Sequence, residues 1–254
     1  MRRIRLLFVL FVVVFLLPIG VSAGLYLRDG IGRDWWGADR SSAGLLPPPA
    51  ETPGAVVRVF AAPTVRWRGI FAVHSWIVLK PEGAPAYTRY DVTAWGDPLR
   101  VNGFVPDGRW FGRVPEVVFA ADGAEAAALI PRMQAAIDAY AWRQRGDYRA
   151  WPGPNSNTFV AAVLEAVPEA GASLPPTAIG RDWPHDGRWL RPAAGGVGLR
   201  LTLGGYVGVT LGVVEGVEVS ILGAVAGIDL LRPAIKLPGI GRIGFGAREA
   251  QAAR

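Results

Sequence analysis

Two short stretches hold residues whose types and spacing suit nucleophilic chemistry. One is FAVHSWIVL, with His74; the other is WPGPNSNTFVAAVLE, with Ser156 between Asn155 and Asn157. A serine hydroxyl attacks a carbonyl only when a base takes its proton. His74 is the candidate base, because the only other histidine, His185, sits in the turn-rich RDWPHDGRW stretch and reads as a loop-anchoring residue. Pro152-Gly153-Pro154 followed by an apolar run places Ser156 at a helix start. Backbone N–H groups there lack partners and the helix dipole favours negative charge, so they suit a tetrahedral oxyanion. Asn155 or Asn157 would add a side-chain donor. The plainer reading is that one of these three residues is simply the N-cap, a role that Asn and Ser both fill well. Asp91, or Tyr90 beside it, is the candidate third member, on the strand that returns after the PEGAP turn.

These residues need a sheet and a helix to position them. Val56 to Phe60 and Trp67 to Leu79 are rich in β-branched and aromatic residues and read as strands, with Tyr87 to Trp95 returning as a hairpin. On the His74 strand, Phe71, Val73, Ile77 and Leu79 share one face and His74, Trp76 and Val78 the other. The first set is the more natural core face, which aims His74 at a helix layer or a cleft. Short strands are expected around Leu99 to Phe104 and Glu116 to Ala120. An alanine-rich helical stretch follows from Ala124 to Arg143, which Pro131 should kink or split. Asn157 to Val167 reads as a further helix, closed by Pro168. From Val197 to Ile221 nearly every odd position is apolar, while even positions carry Gly, Arg, Thr, Glu and Ser. That period of two predicts a β-meander rather than a second membrane span, packed on the preceding domain or on the membrane. The tail from Arg232 to Gly246 shows no clear period.

Composition excludes several classes. The 254 residues include no cysteine, so disulfides, thiolate nucleophiles and cysteine metal sites are ruled out. With two histidines a multi-histidine zinc site is not expected, and no metal or organic cofactor is implied. The formal charge of +6 comes partly from Arg2, Arg3 and Arg5, and no basic stripe interleaves with aromatics, which argues against nucleic acid. Glu215 and Glu218 have no partners at metal-ligand spacing, and Asp138 and Glu165 read as solvated helix faces.

After the basic start, the uncharged run from Leu6 to Leu27 is long enough to cross a hydrocarbon core. Arginines before it fit an N-terminus in the cytoplasm. A cleaved signal peptide competes, since Val21-Ser22-Ala23 offers a cut site, but the apolar run continues past it and favours a retained anchor. The domain division is therefore 1–28 anchor, 29–54 Pro/Gly/Ser-rich spacer, 55–190 α+β domain, and 191–254 glycine-rich meander and tail. Of the tryptophans, the Trp35-Trp36 pair belongs to the membrane interface.

HSWIVL followed about eighty residues later by NSNTFV resembles the permuted papain-like hydrolases. In that group a strand histidine precedes a helix-start cysteine; it includes the PPPDE isopeptidases and the lecithin:retinol acyltransferase-like family and is related to NlpC-type peptidases. His74 matches the base, Ser156 replaces the cysteine, and Asn155, Asn157 and Phe159 match the flanks. The segments PGPNSNTF and VEG…ILG…RPAIKLPGIGRIG also resemble the bacterial family called domain of unknown function 3750. The resemblances imply a permuted papain-like α+β fold of antiparallel sheet plus helices. The N-terminal anchor makes this a single-pass protein of the bacterial inner membrane, with its bulk on the periplasmic or exterior side. The expected activity is Ser-His hydrolysis or transfer of an amide, peptide or acyl ester. The alternative is a catalytically silent envelope module that binds cell-wall peptide or lipid in the same cleft.

Overall fold

A computed structural model describes residues 2–28 and 36–245; Trp35 and the terminal arginines Arg248 and Arg254 lie outside the described residues. The chain opens with one apolar rod made of α1 (Arg2–Phe11), a π-helical turn (Val12–Leu16) and α2 (Leu17–Arg28). Its most apolar 18-residue window has a mean hydropathy of 2.9, and by length and composition it can cross a membrane.

The first antiparallel sheet contains β1 (Val56–Pro63), β2 (Val73–Lys80), β3 (Thr88–Val92), β4 (Leu99–Val101) and β5 (Glu116–Asp122), in the order β4-β3-β2-β1-β5. The strand expected from Trp67 begins only at Val73, because Arg66–Ile70 turns as a 3-10 helix with Arg66 at φ 54°. Two helices, α3 (Gly123–Asp138) and α4 (Ser156–Glu165), complete this unit. Val57, Val59, Ile77 and Leu79 share a core with Leu129, Met133, Phe159 and Val163 of the helices. Pro131 neither splits nor ends α3. The bond it cannot make belongs to the carbonyl of Ala127, an exposed residue where water can replace the missing donor.

The opposite sheet face buries Val56, Phe60, Trp76 and Val78 beside Trp110 and Tyr87. Leu45 and Leu46 pack against that cluster, and Tyr87 Oη donates to the Pro47 carbonyl at 3.0 Å. The described part of the expected spacer thus runs along this face instead of standing free.

The second sheet is a plain meander of β6 (Leu190–Pro192), β7 (Gly198–Leu203), β8 (Val207–Gly212), β9 (Gly216–Ile221), β10 (Ala224–Asp229), β11 (Ala234–Leu237) and β12 (Gly241–Gly244). It extends beyond the expected Val197–Ile221, and the punctuated tail supplies β11 and β12. Those strands have four residues each, too short to show a period, and Pro233 and Pro238 flank β11 without interrupting it. Its alternation runs opposite to that of a soluble domain. Arg200, Glu218 and Lys236 point inward and are buried, while the odd apolar side chains point outward. Inside, Glu218 pairs with both Arg181 and Lys236, and Arg200 reaches Glu165 at 3.3 Å and Glu215 at 3.5 Å.

Candidate functional site

Strand alternation puts His74 on the Trp76 face of β2, and Arg89 and Asp91, two residues apart on β3, on the same side. His74 Nε2 lies 2.9 Å from Asp91 Oδ1. Arg89 binds the same carboxylate twice, Nε to Oδ2 at 2.6 Å and Nη2 to Oδ1 at 2.9 Å, and its third arm donates to the Val105 carbonyl at 2.7 Å. All three side chains are buried. Aromatic rings close the cluster. The His74 ring stacks on Trp110 with centroids 3.8 Å apart, and the Arg89 guanidinium lies 3.9 Å from the Trp76 ring centre.

Burial would raise the Asp91 carboxyl, but the Arg89 guanidinium and the His74 bond hold it below its usual value, so it is charged. Burial lowers the His74 imidazole, and the nearby Asp91 offsets this only in part. A neutral imidazole beside a carboxylate must donate from Nε2, which leaves Nδ1 as an unprotonated acceptor. Among the described residues Nδ1 has no hydrogen-bond partner. The His74–Asp91–Arg89 chain therefore fixes one tautomer of a weak base.

The start of α4 answers which residue is the cap. Asn155 is the N-cap: its Oδ1 accepts from the Asn157 and Thr158 amides, and Thr158 Oγ1 accepts in return from the Asn155 amide at 3.1 Å. The Asn155 Nδ2 group donates to the Ala150 and Ile179 carbonyls, each at 3.1 Å. Gly180 makes this possible, since a Cβ there would sit 2.2 Å from Asn155 Nδ2, and its φ of +94° suits glycine. Asn157 donates to the Val73 and Ile179 carbonyls and accepts from Ser75 Oγ at 2.8 Å. Both Asn side-chain amides are thus committed to structure and offer no free donor to an oxyanion. Ser156, the first residue of α4, has no hydrogen-bond partner for its Oγ among the described residues.

Ser75, and not His74, faces the helix start across the sheet, because the two alternate. No hydrogen bond joins Ser156 to His74 among the described residues, yet both line one cavity of about 540 Å³. Phe11, Phe15 and Ile19 of the N-terminal rod form one wall, Trp67 and Phe71 a second, and Ile221 and Leu222 of the meander a third. His74 also borders a second cavity of about 450 Å³ with Trp95 and Trp110. The rod is held to the domain by polar contacts. Ser22 Oγ donates to the Ile70 carbonyl and, at 2.9 Å, to the Gly239 carbonyl; Tyr26 Oη donates to the Arg66 carbonyl at 2.8 Å.

Among the sequence candidates, His74 and Asp91 are hydrogen-bonded and Ser156 shares the cavity with His74. Tyr90 faces away and binds Gln134 at 2.8 Å. His185 pairs with Glu165 at 3.0 Å, so Glu165 is part of the ion network and not a solvated face. Sequence reasoning missed Arg89, although the spacing in TRYDV places it beside Asp91 on one strand face. It also missed Trp110, Ser75 and the Ile179–Gly180 turn, whose roles arise from distant segments. No group of acidic or histidine side chains among the described residues has the geometry of a metal site.

Neither the curated proteins nor the solved structures contain a match to this chain. The family described as "Protein of unknown function (DUF3750)" matches residues 54–183, from the edge of β1 past α4 to the turn that holds Asn155. That segment is just over half of the 254 residues and includes His74, Asp91 and the whole Asn155–Ser156–Asn157 string. The chain belongs to the DUF3750 family.

Proposed function

We propose that this is a single-pass membrane protein of the bacterial cell envelope that takes the apolar chain of an amphipathic envelope molecule into the cavity between its anchor, its α+β domain and its meander. The observation that carries this reading is the wall formed by Phe11, Phe15 and Ile19. A segment able to span a membrane lines the same space as Ser156 and His74, so a lipid-like ligand has a route from bilayer to polar groups. The volume of about 540 Å³ lies within the range of small-molecule sites, about 300–1,000 Å³. In this reading residues 55–190 bind the ligand and the meander, through Ile221, Leu222 and Pro238, closes the cavity, with the bulk of the chain outside the cytoplasm.

The test is photocrosslinking of the full chain in nanodiscs containing a phospholipid with a diazirine in one acyl chain. Adducts on Trp67, Phe71, Ile221 or Leu222 are expected. Adducts confined to outward side chains of the anchor or sheet would overturn the reading.

A second reading, acyl transfer or hydrolysis, is favoured by two observations: the unpartnered Ser156 hydroxyl at a helix start and the fixed His74 tautomer. Ser156 would attack the carbonyl, His74 Nδ1 would take the proton and return it to the leaving group, and the first amides of α4 would hold the oxyanion. The order of strand histidine and helix-start residue supports a permuted papain-like arrangement. The placement of Ser75 at the helix start separates it from that group. Labelling of Ser156 by a fluorophosphonate, lost in Ser156→Ala and His74→Ala, supports catalysis; absence of labelling in the folded protein removes it and leaves the binding reading.

A further inference from the structure

The meander is inside out. One residue from each of six neighbouring strands, Leu199, Leu211, Val217, Ile228, Ile235 and Ile243, forms a continuous cross-strand row on its outer face. Exposure along this row runs from 37% at Val217 to 56% at Leu199. A second row, Leu201, Val209 and Val219, runs parallel to it. The charged side chains of these strands that lie at the sheet centre, Arg200, Glu218 and Lys236, are all turned to the opposite face and paired. A soluble monomer seldom exposes an apolar patch of this extent, and when it does the patch marks a contact surface.

The N-terminal rod identifies the partner. It touches the domain from Phe11, in the cavity wall, to Tyr26, bonded at Arg66. At 1.5 Å per residue that is about 23 Å of helix. A hydrocarbon core is about 30 Å thick, so a rod that crosses it brings the domain down beside it to the depth of the acyl chains. The π-helical turn of the rod contacts β10, and Ser22 is bonded next to β11, so the meander lies at that depth. A charged outer face would be costly there, and this face has none of the sheet's charges.

We infer that the outer face of the meander is a lipid-facing surface, seated among the acyl chains of the bilayer. The sheet rests on the bilayer by its face, as amphipathic helices rest by theirs, and the inward ion network stays in the protein. This inference rests on the anchor lying in a membrane and is independent of what the cavity holds.

The absence of native cysteine makes the test direct. Single-cysteine full chains Leu201→Cys, Val209→Cys and Val219→Cys carry an NBD label in vesicles of phosphatidylethanolamine and phosphatidylglycerol. Val9→Cys reports the anchor and Glu82→Cys the exposed hairpin turn. The expected result is blue-shifted emission, lost to doxyl-labelled acyl chains, at 9, 201, 209 and 219 but not at 82. Quenching at 9 alone, with iodide quenching at the three sheet positions, overturns the inference and leaves the anchor intact. Sheet labels shielded from both quenchers, with disulfides forming between copies, mean that a second copy covers the face and also overturn it. No doxyl quenching at 9 means that the membrane reading itself fails. A Leu201→Glu/Val209→Glu chain labelled at Val219→Cys is expected to lose the doxyl quenching while the signal at 9 persists.

Discussion

His74 gives its Nε2 to Asp91, at 2.9 Å, while Ser156, lining the same cavity as His74, has no partner for its hydroxyl among the described residues. The base is therefore oriented and desolvated by groups that never touch the candidate nucleophile. β3 orients His74 and α4 positions Ser156, each independently of the other.

The acid response should be set by this pair. Both groups are held below their ordinary values, His74 by burial and Asp91, despite its burial, by Arg89. A lowered group binds fewer protons in the folded state, so its contribution is complete above the unfolded value and is lost as pH falls toward the folded one. The His74 contribution begins to fall below about pH 6.5 and that of Asp91 below about pH 3.9. Urea unfolding at stepped pH should show stability dropping from about pH 6.5 downward in the native chain. The slope in that first interval should be shallower in His74→Gln.

Ser156 and Asn155 should separate cleanly in stability. Ser156→Ala removes a hydroxyl with no partner among the described residues and should cost at most about 0.5 kcal/mol. Asn155→Ala removes the α4 cap and should cost about 0.5–2 kcal/mol. Thermal unfolding of the two variants side by side checks this. Equal losses would mean that Ser156 is structural after all.

Gly180 is expected to tolerate no side chain. Gly180→Ala places a methyl 2.2 Å from Asn155 Nδ2 and strains a φ of +94°. The strain costs about 1–3 kcal/mol, and the displaced Asn155 should loosen the first turn of α4. Faster amide exchange at Asn157 and Thr158, whose N–H groups Asn155 accepts, is the specific readout.

Glu218 is the pivot of the inward ion network. Glu218→Gln leaves Arg181 and Lys236 buried without their shared anion and should destabilise by about 3–5 kcal/mol. Lys236→Met keeps the Arg181–Glu218 pair and should cost less. Denaturant melts of both variants decide the order.

The sheet, the two helices and the meander were legible because each carries its period in consecutive residues, as in VHSWIVLK or GLRLTL. The His74–Asp91 contact was legible for the same reason, since a hairpin brings strand neighbours together. What was not legible depends on distant segments or on solvent. Nothing near Trp110 says that it will stack on His74, and nothing near Gly180 says that it will seat Asn155. The alternation of β7–β9 gave two faces but not which one would turn outward. The tail escaped because four-residue strands between prolines show no period. Pro131 does not split α3, because the Ala127 carbonyl that loses its donor is exposed and water can take its place.

The bonds at Ser22 bear on how the chain matures. Val21-Ser22-Ala23 has the small residues that a processing peptidase favours, yet Ser22 is clasped by the Ile70 and Gly239 carbonyls. A cut after Ala23 would remove Phe11, Phe15 and Ile19 together, and the cavity would lose the wall they form. The rod is thus an architectural member of the fold. The cavity between domain and meander is complete only while the rod that walls it stays attached.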